Sequence, residues 1–121
     1  MKNNIRRNSA NDLYNVYSGS VELLDYKNDY KFTEGINDIA NFENCLWLFD
    51  IILDEQANLN SDVQIWHLGR VIQDSFTLIC KNESGHRIAQ VQNLQKDFYF
   101  DDITIIKKDN VFCLPNEQNN Y

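Results

Sequence analysis

Phe42-Glu43-Asn44-Cys45-Leu46-Trp47-Leu48-Phe49-Asp50-Ile51-Ile52-Leu53-Asp54-Glu55-Gln56 contains no glycine or proline and is dense in Leu, Ile, Phe and Trp. On a helical wheel Cys45, Leu46, Leu48, Phe49, Ile51, Ile52 and Leu53 cover more than half the circumference. Glu43, Trp47, Asp50 and Asp54, at i, i+4, i+7 and i+11, share the stripe that is left. The pattern predicts a central helix over about 42–56, buried on most sides, that exposes one acidic seam with a tryptophan in it.

Upstream, Ser9 can cap a short helix over about 10–17, with Leu13, Val16 and Tyr17 as its apolar side. Val21 to Tyr26 reads as either extended or loop, and Tyr30-Lys31-Phe32 as a brief strand. Thr33 before Glu34 and Gly35 is a helix start, with Ile36, Ile39 and Ala40 on one side. Downstream the period changes to two. Residues 63–68 and 76–81 alternate as strands, and Asn82-Glu83-Ser84-Gly85 is a hairpin turn before a return over 87–94. Ile103 to Ile106 and Val111 to Leu114 flank a second hairpin at Lys107-Lys108-Asp109-Asn110. Helices followed by an antiparallel meander give an α+β fold. The expected architecture is a central helix packed on a C-terminal sheet of four to five strands. Residues 9–117 form one domain, after a flexible basic start (1–8) and before a short tail (118–121).

The chain has 121 residues, enough for a single hydrophobic core, and its 43% hydrophobic content puts it well away from disordered chains. The longest apolar run, Cys45 to Phe49, is far short of a membrane span, and no apolar stretch follows the charges of the N-terminus. A cytoplasmic protein is expected. Three cysteines, Cys45, Cys80 and Cys113, are an odd number at wide spacing, which suits buried reduced thiols better than disulfides or a zinc site.

The net charge of −7 is unevenly spread: +3 over residues 1–10, −9 over 11–62 and −1 over 63–121. Such a field repels nucleic acid and anionic membrane, and its natural partner is a basic protein surface. The ordinary alternative is a solvated face that keeps the protein soluble.

No GxSxG, HExxH or phosphate-cradling glycine loop is present. His67 and His86 are the only histidines, and no motif joins either to a cysteine. Asp50 and Asp54, one turn apart, and Asp101-Asp102 are carboxylate pairs without histidine support, as solvated faces usually are. No catalytic residue, metal site or cofactor is assigned. Trp47 among acids suits an Arg-rich partner by stacking and ion pairing, although covering the edge of the core is what large aromatics in small domains mostly do.

Five stretches occur in one order: Phe32-Thr33-Glu34-Gly35, Cys45 to Ile52, Gln64-Ile65-Trp66-His67-Leu68, Phe100-Asp101-Asp102-Ile103-Thr104, and Asn110 to Glu117. Together they resemble a family of small bacterial and phage-borne proteins known only as a domain of unknown function, over about residues 30–117. The resemblance implies a phage or mobile-element context and carries no activity. The leading expectation is therefore a non-enzymatic acidic module that binds a basic surface of a host protein or nucleoprotein through Glu43, Trp47, Asp50 and Asp54, with Asp38 and Glu55. Its most concrete form is an inhibitor of a host nucleic-acid-binding defence complex, of the anti-CRISPR kind, in which carboxylates occupy a groove built for phosphates. The alternatives are a small metal- or thiol-dependent enzyme using Asp101 and Asp102, or a cysteine with His67, and a homodimeric module joined through an exposed sheet face and Trp66.

Overall fold

The computed structural model describes residues 9–15 and 22–120. Within them lie α1 (Ala10–Leu13), α2 (Glu34–Phe42) and α3 (Leu46–Glu55). The strands are β1 (Leu24–Asp25), β2 (Lys31–Phe32), β3 (Val63–Ile72), β4 (Ser75–Lys81), β5 (Arg87–Gln95), β6 (Asp102–Lys108) and β7 (Val111–Cys113). They form a seven-stranded sheet in the order β1-β2-β7-β6-β3-β4-β5. The α+β class holds, but the sheet is larger than the four to five strands expected. The two added strands are two residues long: β2 is the brief strand expected at Tyr30-Lys31-Phe32, and β1 falls in the stretch read as either extended or loop. They join through a parallel pairing of β2 with β7 (Lys31 beside Val111, Phe32 beside Phe112), which no local pattern announces. The basic start and Val16 and Tyr17 lie outside the described residues.

The first helix is capped as expected, with the Asn11 N–H donating to Ser9 Oγ at 3.2 Å. It is only one turn long, however, and Ala10 and Tyr14 are buried while Leu13 is 60% exposed, the reverse of the apolar side expected.

Thr33 caps α2: its hydroxyl accepts from the Ile36 N–H at 3.3 Å and donates to Glu117 Oε1 at 2.6 Å. The Glu117 carboxylate, fully buried, also accepts from the N–H groups of Leu114 (2.9 Å) and Gly35 (3.2 Å). One buried acid therefore ties the start of α2 to the C-terminal segment, satisfying donors that a helix start leaves open.

Both expected helices are present, but the central one, expected over about 42–56, starts four residues later, at Leu46. α2 ends at Phe42, and Asn44 takes a left-handed conformation (φ 52°) that lets the Cys45 N–H reach back to the Ala40 carbonyl at 3.1 Å. Asparagine tolerates this geometry, which closes a helix end and turns the chain. α3 then starts at Leu46. Leu48, Phe49 and Ile52 are buried on it and Ile51 and Leu53 half-buried, whereas Leu46 is exposed.

One face of the sheet carries the core. Trp66 pairs with Cys80 and Ile105, and Leu68 with Leu78 and Ile103. Phe49 of α3 meets Phe112 of β7 edge-on at 5.3 Å and Phe32 of β2 at 4.8 Å. Removing each such ring from water contributes roughly 2–3 kcal/mol. The Trp66 indole N–H donates to Gln64 Oε1 at 3.0 Å, and Gln64 exchanges amide hydrogen bonds with Gln56 at the end of α3. At 1% exposure Trp66 is sealed in the core, so it cannot be the contact of the homodimer alternative.

Candidate functional site

Trp47 lies in the first turn of α3, with Asp50 and Asp54 following at i+3 and i+7 on the same side. Glu43 is not on this helix. It is the C-cap of α2, before the turn at Asn44, and its carboxylate accepts from the Tyr14 hydroxyl at 2.8 Å. Asp38 is half-buried on α2, and Glu55 is half-buried at the end of α3 beside exposed Asp54. The structure thus brings Trp47, Asp50, Asp54 and Glu55 together on α3 and leaves Glu43 and Asp38 on the preceding helix unit.

Asp50 is already engaged. Its Oδ1 accepts from the Tyr26 hydroxyl at 2.6 Å and meets Lys27 Nζ at 2.9 Å. The Tyr26 hydrogen bond first, and then Lys27, hold its carboxyl below the usual carboxylate range, against an opposing effect of burial. Burial and the same carboxylate push the Tyr26 hydroxyl upward. Trp47 is half-buried against Phe98, edge to face at 6.4 Å, and Lys96 Nζ sits 5.2 Å from its ring centroid. Each of these two positions therefore holds a cation from the chain itself, Lys27 on the carboxylate and Lys96 on the indole. Neither lysine was legible as part of the seam, because both come from loops distant in sequence.

The end of α3 is electrostatically unusual. Asp54 and Glu55 occupy its last turn, where the carbonyl end of the helix disfavours negative charge, and no basic residue offsets them there.

The groups considered for catalysis are kept apart. His67 is exposed and shares a 3.0 Å contact with Thr104 Oγ1. Cys80 pairs across the ladder with Trp66, His67's neighbour, so thiol and imidazole point to opposite faces of the sheet. Burial pushes the thiols up, Cys45 and Cys80 to about 12 and Cys113 to about 11. Asp101 is ion-paired with Arg70 Nε at 3.2 Å. Among the described residues no group of three His, Cys, Asp or Glu side chains is placed to hold a metal ion, and no helix is long and apolar enough to cross a membrane.

A family model described as a family of unknown function, DUF6876, matches residues 8–118. No curated protein and no solved structure gives a significant match.

Proposed function

We propose, for a chain that belongs to the family of unknown function DUF6876, that it is a non-enzymatic acidic module binding a basic protein surface through α3. The observation that carries this reading is the placement of Asp54 and Glu55. Carboxylates in a last helical turn cost roughly 0.3–1 kcal/mol each. A locally unfavourable choice with no basic residue in the same turn to offset it is what a residue serving a binding surface would show. The cations resting on Asp50 and Trp47 support the same reading, since an arginine or lysine of a partner would take over contacts that Lys27 and Lys96 make in the isolated chain. The most concrete form is inhibition of a host nucleic-acid-binding complex, the anti-CRISPR kind of action, in which this face competes for a groove built for phosphates.

Asp54→Lys/Glu55→Lys tests the reading without disturbing Asp50, which holds Tyr26. A pull-down from nuclease-treated host lysate across a salt series should recover a basic nucleoprotein with the wild type and lose it with the double variant. The variant should fold with unchanged or slightly higher stability, because cations suit the end of α3. Equal recovery by both proteins would remove α3 as the binding face.

A further inference from the structure

The tip of the β3–β4 hairpin carries apolar side chains that the fold does not cover. Val71 is 67% exposed and Ile72 65%, and Tyr99, on the loop beside them, is 62% exposed. Scattered exposed apolar residues are ordinary, but Val71 and Ile72 are consecutive at one tip, and Tyr99 lies on the loop that Arg70 ties to it.

The support is Arg70. Its backbone N–H donates to the Asp101 carbonyl at 2.8 Å, which ties the hairpin to the 98–101 loop. Its guanidinium, mostly buried, donates to the carbonyls of Gln73, Phe98, Tyr99 (3.3 Å) and Phe100 (2.9 Å) and to Asp101 Oδ1 (3.2 Å). Its plane lies 4.6 Å over the Phe76 ring. The guanidinium therefore bonds both the turn that presents Val71 and Ile72 and the loop that presents Tyr99. Groups fixed in this way lose little entropy on binding.

The rim of the tip is acidic. Asp74 closes the hairpin, Asp97 is exposed before the loop, and Asp101 and Asp102 follow it. Of the two nearby cations, Arg70 pairs with Asp74 (3.7 Å) and Asp101 (3.2 Å) as well as the loop carbonyls, and Lys96 sits over the Trp47 indole, so four acids against two bases leave the rim net acidic. Two copies of such a tip would bring like charges together, whereas a socket rimmed by lysine or arginine would complement it.

We infer that Val71, Ile72 and Tyr99 form a preorganised knob that docks into an apolar socket with a basic rim on a partner protein. This surface lies apart from Asp54 and Glu55 and does not depend on them. It meets the α3 face where Trp47 packs on Phe98 and carries Lys96 over its ring.

The test pans a displayed library of random dodecapeptides against the full chain, with Val71→Ser/Ile72→Ser as the counter-target. Both side chains are solvent-exposed, so this variant keeps the fold, and an unchanged melting curve verifies it. The expected result is enrichment of peptides in which apolar residues alternate with Lys or Arg. Their binding should weaken at least tenfold on the serine variant and on Asp97→Lys, weaken with salt, and stay unchanged on Asp54→Lys/Glu55→Lys. No enrichment, peptides without basic residues, or equal binding to the serine variant would overturn the inference. Loss on the α3 variant alone would assign the surface to α3 instead. A dimer in sedimentation that the serine variant dissociates would give the knob to a second copy of this chain and also overturn it.

Discussion

The side-chain amide of Asn11 binds both backbone groups of Thr104: its Nδ2 donates to the Thr104 carbonyl at 2.9 Å, and its Oδ1 accepts from the Thr104 N–H at 2.6 Å. β7 pairs with β6 only from Ile106 to Lys108, so Thr104 lies beyond the reach of that strand. Asn11 stands in for the missing neighbour, and a parallel bridge from Ser9 to Asp102 continues the same edge. Asn11→Ala should leave a half-buried donor and acceptor open and lower stability by about 1–3 kcal/mol. Asn11→Asp should be no better, because a carboxylate cannot donate to the carbonyl. Chemical denaturation of the three proteins checks this, and a midpoint unchanged in Asn11→Ala would show the clamp to be idle.

Gly35 is required by close approach rather than by backbone freedom. A Cβ there would lie 2.8 Å from Leu114 Cδ1 and 2.9 and 3.0 Å from the Glu117 oxygens. Gly35→Ala should therefore destabilise in spite of alanine's better helix propensity, by about 1–3 kcal/mol of overpacking. Glu117→Gln keeps the oxygen that Thr33 and Leu114 use but turns an NH2 toward the Gly35 N–H, which should cost a similar amount. Thermal unfolding of both variants measures this. A stabilised Gly35→Ala would mean that the C-terminal segment does not pack on α2 in solution.

How the chain could be read depended on whether its signals were local. Thr33 could be recognised as a cap because its partner, the Ile36 N–H, lies three residues away. β3 and β4 were legible as strands from alternation, while their register, which sets Trp66 and Leu68 opposite Cys80 and Leu78, was not. The boundary between α2 and α3 was placed too early, at Phe42, because the run of 42–56 without Gly or Pro hid the turn, although an asparagine able to turn left-handed was the available signal. β2 was legible as the brief strand at Tyr30-Lys31-Phe32, whereas its place in the sheet beside β7, and β1 within the ambiguous stretch before it, were not, since two residues cannot show a period. At the candidate site, the α3 acids were visible from the wheel. Tyr14, Tyr26, Lys27 and Lys96 were not, because the residues they contact are remote in sequence.

Asp50 should leave a signature in acid. Its folded pKa is depressed, first by the Tyr26 hydroxyl and then by Lys27. A depressed acid stabilises the fold above its unfolded pKa of about 4 and loses that contribution as pH falls through the folded value. Stability of Asp50→Asn should therefore fall less steeply below about pH 4 than that of the wild type. Tyr26→Phe should let the carboxyl titrate nearer its ordinary value. Carboxyl-carbon NMR titration reads this directly, and an ordinary Asp50 titration in the wild type would show that the Tyr26 hydrogen bond does not persist in solution.

The thiols give the sharpest test of the enzyme alternative. Burial is the main cause raising Cys45, Cys80 and Cys113, with the nearby carboxylates of Glu43 and Glu117 adding to Cys45 and Cys113. A thiol with a pKa near 12 is thiolate in roughly one molecule in ten thousand at pH 8, and each of these is also shut away from reagent. The folded protein should thus react with a disulfide reagent such as Ellman's only as fast as it opens, and in denaturant all three cysteines should react at once. Gly35→Ala should speed the native reaction at every site, since the cost of opening falls with stability. One cysteine reacting quickly and stoichiometrically in the folded wild type would break this pattern. It would reveal an accessible low-pKa thiol, which a thiol-dependent catalyst needs and a purely binding module does not.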